Sequence, residues 1–313
     1  MAEAVAELLA TELDKLGFAP ELLLTKLVGS RVGRRGEDEF QFLSARFQDV
    51  GTLRAVFTHH LGIGASLTEF LIAGLSLPPE IRAQVALLGG IAHTIYALFD
   101  SLLDGSGCVP ELFGAQKRIA AGCDTHKQEL LLRLVELYFE RLHSLPAQAT
   151  GVRALIERTI QKLYEAELKS STPGQITRSV WWRKNVLPIV VMALPAWLSA
   201  ADQSNMRFTE HLIWLGRVGD FLGWLDDFSD YEKDHASGQA NRLRGYEQTQ
   251  FAKLARQTAI RGQLVLRLWD SRNTNPAARN TFTVMAWTSL TQPNPKSPHD
   301  QSITAVPVFG SFS

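Results

Sequence analysis

Cysteine is scarce: the 313 residues hold two, Cys108 and Cys123. A pair in so long a chain is no disulfide framework and fits no metal-ligand spacing, so a reducing, cytoplasmic compartment is expected. Net charge is absent too. The 32 basic residues cancel the 32 acidic ones, which leaves no global field to draw the chain to nucleic acid or to an anionic membrane. Any anion site must be built locally. No apolar run reads as a transmembrane segment: the longest, 186–201, is broken by Pro188 and Pro195 and falls short of the roughly twenty residues a span needs. The opening MAEAVAELLATELDKLGF puts acids where an export signal carries positive charge. The sequence also has no glycine-rich phosphate loop, no obvious internal repeat and no basic helix with interleaved aromatics.

What is present is apolar residues recurring at three and four, the period of amphipathic helices, with 45% of the chain hydrophobic. This predicts an all-α protein with helices over 3–16, 40–47, 52–61, 66–75, 79–103, 127–142, 152–168, 177–200, 208–234 and 248–269. Breakers fall between them at Pro78-Pro79, Gly105-Ser106-Gly107, Pro146, Pro173-Gly174 and Gly238. Arg31, Arg34 and Arg35, before Glu37-Asp38-Glu39, read as a solvated loop. One helical domain over 1–270 is expected. The segment 271–313, with prolines at 293, 295, 298 and 307 among Ser, Thr and Gln, is expected to be loosely packed or mobile.

Two predicted helices carry acids on otherwise apolar surfaces. In LLGGIAHTIYALFDSLLDG, Asp100 and Asp104 lie four apart, one above the other on a helix face. Stacked carboxylates in an apolar setting repel each other and are compensated simply by a divalent cation with oxygen ligands. Alternatively Asp104 caps the turn at Gly105, and Asp100 faces solvent or an arginine. His93 reads as a core histidine.

In GDFLGWLDDFSDYEKDHASGQAN, Asp226, Asp230 and Asp234 lie at intervals of four along one stripe. Three like charges on a stripe cost helix stability, which points to a metal-binding role. Asp227 points off the stripe and serves as a further ligand or faces solvent. Asp220, two turns earlier, reads as solvent-facing with Arg217 or Lys233 as partner. If the two acid-bearing helices face each other across a bundle, they form a clamp for metal ions that bind a diphosphate. Arg178, Arg183 and Lys184, in ITRSVWWRKNVLP, suit phosphate oxygens, Arg178 and Arg183 reading alternatively as a surface cluster at a helix end. Tyr96, Phe99, Trp181, Trp182, Phe221 and Trp224 are candidate walls for a cation, because ring faces attract positive charge.

These residues resemble the isoprenoid synthase superfamily over roughly 80–245. HTIYALFDSLLD is similar to the first aspartate-rich motif of trans-prenyltransferases, with Ser101 at the second aspartate position; GDFLGWLDDFSD is similar to their second motif. Lys184 stands about where that branch has a phosphate-binding lysine, and no paired arginine follows Asp104. Asp226, Asp230 and Asp234 occupy the positions of the second metal motif of class I terpene synthases, with Arg183 near the diphosphate-sensing arginine. The closest variant is the tetraprenyl-β-curcumene synthase group, which pairs DxxxD with a D-xxx-D-xxx-D motif followed by a glycine and an asparagine, here Gly238 and Asn241. The resemblance implies a helical bundle around a central cavity. It also implies magnesium or manganese held by Asp100, Asp104, Asp226, Asp227, Asp230 and Asp234. The diphosphate of a linear prenyl substrate would be bound by Arg178, Arg183, Lys184 and Asn241. The implied activity is terpene synthase: ionisation of that substrate, then cyclisation or elimination. A prenyltransferase joining two prenyl diphosphates and a non-catalytic prenyl-binding or partner subunit are the alternatives, and homodimers are common in the superfamily.

Overall fold

The computed structural model describes residues 5–47, 50–106, 112, 124–146, 150–170, 176–200, 207–271, 273 and 275–291. Among them are twelve α-helices and no β-strand, so the protein is all-α as the periodicity predicts. The helices are α1 (Val5–Lys15), α2 (Leu22–Leu43), α3 (Arg54–Leu71), α4 (Pro79–Ser106), α5 (Thr125–Ser144), α6 (Thr150–Ser170), α7 (Arg178–Ala193), α8 (Ala196–Ser199), α9 (Phe208–Ser229), α10 (Tyr231–Ser237), α11 (Phe251–Asp270) and α12 (Pro276–Thr291). The described residues form two compact units, one of those within 31–216 and one of those up to residue 30 together with those from 217 to 291.

In the unit of residues 31–216, α4 is the central helix. It packs against α3, α5, α7 and α8, while α6 packs on α7 and α8. Its segment Pro79–Leu103 is long and apolar enough to cross a membrane, but 78% of its most apolar stretch is buried within the protein. The helix is apolar on most sides because neighbours surround it.

Small residues set the spacing of α2, α3 and α4. A methyl group on Gly62 of α3 would overlap the Val32 carbonyl oxygen of α2 and come within 2.9 Å of the Gly36 backbone nitrogen. One on Gly64 would come within 2.6 Å of the Gly89 carbonyl oxygen of α4. Helices that touch backbone to backbone leave no room for a side chain between them.

The structure differs from several expectations here. The basic and acidic residues at 31–39 lie on α2, where Arg35 pairs with Glu39 and Glu69, and Glu37 with Arg54. Glycines and alternating charges resemble a loop in composition, yet Gly36 is placed for the close approach to α3. The helices expected at 52–61 and 66–75 are one helix, α3, because the glycines between them sit at helix contacts rather than at a turn. The helix expected at 208–234 is interrupted at Asp230 (φ −98°, ψ 2°), between α9 and α10. The one expected at 177–200 is divided into α7 and α8 near Leu194-Pro195.

In the other unit, α1 packs against α10, α11 and α12. The buried face of α11 runs Phe251, Leu254, Ala255, Thr258, Ala259, Gly262, Val265, Leu266 and Trp269, spaced at three and four. The segment 271–313 is not uniformly loose: α12 buries Phe282, Val284, Met285 and Ala286, and Phe282 meets Phe221 of α9 with ring centroids 6.2 Å apart. Residues 292–313 lie outside the described set.

The packing sets a contest between two effects. Gly62→Ala gains about 1 kcal/mol of helix propensity but forces a methyl onto neighbouring backbone, so a net loss of about 1–2 kcal/mol is expected. Gly33→Ala, with open space around it on the exposed side of α2, is expected to gain up to about 1 kcal/mol. Urea unfolding of the two variants checks this; equal effects would contradict the close-packing account.

Candidate functional site

Three helices of the 31–216 unit line a half-open apolar cavity of about 70 Å³. Each contributes one helical face: Ala92, Ile95, Tyr96 and Phe99 from α4; Val135, Tyr138 and Phe139 from α5; Ile160, Leu163, Tyr164 and Glu167 from α6. Leu112 and Val191 complete the described lining. The spacing at three and four on all three helices explains why amphipathic sequence builds an aromatic pocket here. Phe99 and Tyr164 meet across it, ring centroids 5.5 Å apart. Burial pushes the Tyr138 phenol well above its ordinary range; its hydroxyl donates to the Val191 carbonyl at 3.4 Å.

One carboxylate lines this cavity among the described residues, that of Glu167, and it belongs to a trio. Lys184 Nζ lies 3.3 Å from Glu167 Oε2 and 3.4 Å from Asp100 Oδ1. Both acids are only 1% exposed. Thr177 starts α7 by accepting from the Val180 backbone N–H at 3.3 Å, and two turns later the helix delivers Lys184 to the trio. The expected metal-wall acid Asp100 and the expected phosphate-binding Lys184 are thus brought together as an ion pair. Asp100 is buried, so the reading in which it faces solvent does not hold. The side chain of Asp104 lies outside the described residues. Arg178 is exposed at the start of α7, and Arg183 is half-buried. Among the proposed ring walls of this unit, Tyr96 and Phe99 line the cavity, Trp181 is half-buried and Trp182 is exposed. His93 is a neutral core histidine, its pKa lowered to about 3 by burial, beside His60 at a ring distance of 5.3 Å.

The second acid set lies in the other unit, where α9 gives way to α10. Backbone bonds from Asp230 N to Asp226 O at 2.9 Å and from Asp234 N to Asp230 O at 2.8 Å carry the helical register across the joint. Asp226 is half-buried, while Asp227, Asp230 and Asp234 are all buried. Asp227 therefore does not face solvent. It takes the backbone N–H of Arg242 at 3.1 Å and also the Arg242 Nε–H. Gly238, at φ 76° in the left-handed region, ends α10 and lets the chain turn back. Asn241 then donates from Nδ2 to Asp234 Oδ2 at 2.9 Å and to the Asp227 carbonyl at 2.8 Å, while its Oδ1 caps the following turn by accepting from Leu243 N. In this arrangement Asn241 orients Asp234 and the turn that follows it.

Arg242 escaped the sequence reading, although it directly follows the motif. Its guanidinium lies 4.2 Å from the Trp224 ring centroid and 3.7 Å from Asp220 Oδ1; Arg261 also pairs with Asp220, at 3.5 Å. Asp220 is thus engaged by Arg242 and Arg261, not by Arg217 or Lys233 in the manner expected. Phe221 packs with Phe18 and Phe282, as ordinary core.

Burial raises the Asp230 pKa to about 6; Lys233 opposes the shift, and the Asp234 and Asp227 charges add to it. Burial likewise raises Asp227, against the pull of Arg242. Among the described residues no three His, Cys, Asp or Glu side chains are gathered closely enough to hold a metal ion. Magnesium, however, commonly uses one or two protein carboxylates and takes its other ligands from water and phosphate. Asp230 and Asp234 suit that role chemically, because a cation beside Asp230 would relieve a charge that burial and two neighbouring acids disfavour.

Comparison of the chain with protein-family models, with curated proteins and with solved structures gives no match.

The raised Asp230 pKa has a definite sign in stability. The folded state holds that proton up to about pH 6, whereas the unfolded chain releases it near 3.8. This contribution therefore lowers stability as pH rises from about 4 to about 6, by an amount on the order of 1–3 kcal/mol. His93 acts oppositely in the same window, since its folded pKa is depressed, so the Asp230 contribution must be read as a difference between proteins. Without added metal, Asp230→Asn is expected to be more stable than wild type at pH 7.5, with the gap closing toward pH 4. A gap of the same size at both pH values in urea unfolding would contradict the assignment.

Proposed function

We propose that this protein is a class I terpene synthase with the isoprenoid synthase fold. It would ionise a linear prenyl diphosphate with magnesium and then cyclise the resulting allylic cation or remove a proton from it. The observation that carries this reading is the aromatic cavity of α4, α5 and α6, with the Asp100–Lys184–Glu167 trio beside it. An apolar, ring-lined pocket suits a hydrocarbon chain. Its ring faces attract a developing positive charge, and its apolar walls offer water few partners, which would protect the cation from capture.

The buried acids at the α9–α10 joint support the same reading. Asp226, Asp230 and Asp234, with Asp227 as a further candidate, would hold magnesium there, and Asp100 and Asp104 are the candidates on α4. Bound magnesium would neutralise charge on the departing diphosphate. Asn241 holds Asp234 in register, and Arg242 holds Asp227. Arg183 and Arg242 are the forked donors best suited to phosphate oxygens, while Lys184 would exchange one of its two carboxylate partners for phosphate. The cavity of about 70 Å³ is smaller than the roughly 150 Å³ that accommodates benzene in an engineered core. A prenyl chain therefore enters only as the lining side chains move apart.

Geranyl, farnesyl, geranylgeranyl and longer prenyl diphosphates, each with and without magnesium and isopentenyl diphosphate, test this reading. A hydrocarbon or alcohol formed from one substrate with magnesium is the expected result. A longer diphosphate formed only with isopentenyl diphosphate would assign chain elongation instead, and silence with every substrate would remove the catalytic reading. Asp100→Ala and Asp230→Ala are each expected to lower pyrophosphate release at least about 100-fold, the scale of losing one transition-state charge contact. Asp100→Ala should remain folded, because Lys184 keeps Glu167 as its partner; circular dichroism checks this.

A further inference from the structure

Helix α11 buries one face, from Phe251 to Trp269, in part against α1. Its outward stripe runs Lys253, Arg256, Ile260, Leu264 and Arg267, at spacings of three, four, four and three. All of these are exposed, Ile260 by 51% and Leu264 by 42%. A surface helix ordinarily sets polar residues opposite its core face. Here two large aliphatic side chains hold the middle of the outward stripe, and cations flank them at both ends.

The charge on this helix is of one sign. From Phe251 to Trp269 it carries Lys253, Arg256, Arg261 and Arg267 and no acid. Arg261 is engaged with Asp220, at 3.5 Å, and with the Trp224 ring, which leaves the other three to the outward stripe. The first acid, Asp270, pairs with Arg279 at 2.8 Å. The chain as a whole is neutral, so this is a cationic patch built locally on a protein without a global field.

From this stripe we propose that α11 docks the protein on an anionic lipid surface. Ile260 and Leu264 enter the headgroup layer, and Lys253, Arg256 and Arg267 meet lipid phosphates. The partner must supply negative charge and an apolar layer to the same stripe, and a bilayer surface supplies both. Lysine and arginine carry their charge on long apolar stems, so they reach phosphates while the aliphatic residues between them sink past the headgroups. A nucleic acid backbone would match the cations but leave Ile260 and Leu264 against charge. The docking does not depend on the catalytic reading.

Flotation of the full chain with lipid vesicles tests this. Binding is expected to vesicles containing about one third phosphatidylglycerol and not to phosphatidylcholine alone, weakening at least tenfold between about 0.05 M and about 0.5 M salt. Lys253→Gln combined with Arg256→Gln and Arg267→Gln is expected to lose about 100-fold in partition, roughly fivefold for each charge. Ile260→Gln with Leu264→Gln, which keeps helix propensity, is expected to lose about fivefold. Wild type that binds neither vesicle, or both equally, would overturn the proposal. So would a triple charge variant that binds as wild type does, which would move the contact elsewhere, for example to the exposed Leu22 and Leu23 at the start of α2. An aliphatic variant that binds vesicles as wild type does would reject the lipid contact, and equal binding of both proteins to duplex DNA would then assign the patch to nucleic acid. If circular dichroism shows that the triple variant does not fold, Arg267→Gln alone decides, and a partition within about twofold of wild type rejects the proposal.

Discussion

Burying a carboxylate costs several kcal/mol unless charge or hydrogen bonds compensate it, and this protein buries five in its two candidate sets, at 1–9% exposure. The local architecture around them follows from that constraint. Asp100 and Glu167 share Lys184, which α7 supplies. Asp227 is met by Arg242 and Asp234 by Asn241, both supplied by the short turn after Gly238. Asp230 is only partly relieved, and its raised pKa is the sign of it. Breaking such pairs by removing one partner leaves a buried charge exposed to the full desolvation cost. The residues around the candidate sites therefore matter to folding as well as to any chemistry.

The all-α class was legible in the sequence because helical periodicity survives any packing. So were the acids themselves, since four-residue spacing stacks side chains whatever surrounds the helix. Partners were not legible. Glu167 sits between Glu165 and Lys169 on a helix of mixed charge, and nothing local distinguishes the acid that turns inward from those facing water. Lys184 could be assigned to phosphate by its position, but its engagement with two acids depends on how α4, α6 and α7 pack. The angle of Asp227 from the acid stripe does not show its partners. The joint at Asp230 and the turn at Gly238 bring Arg242 and Asn241 onto it instead.

Glycine misled the reading for a related reason. In α2 and α3 the same residues that commonly end helices are used for close helix contact, a distinction that exists only once a neighbour is present. The helix Pro276–Thr291 is hidden in the sequence because the proline-rich stretch beyond it dominates the composition of the segment.

The burial of α4 also bears on how the chain comes to be made. Synthesis proceeds from the N-terminus, so α3 is available to cover α4 as soon as it appears, but 87 residues separate the end of α4 from the end of α7. At ~5–20 residues per second this gap lasts about 4–17 s. For that interval this long apolar helix is covered only by α3 and, once α5 is complete 38 residues after the end of α4, by α5, and the strength of those early contacts governs how much sticky surface the nascent chain presents to chaperones and to other unfinished chains.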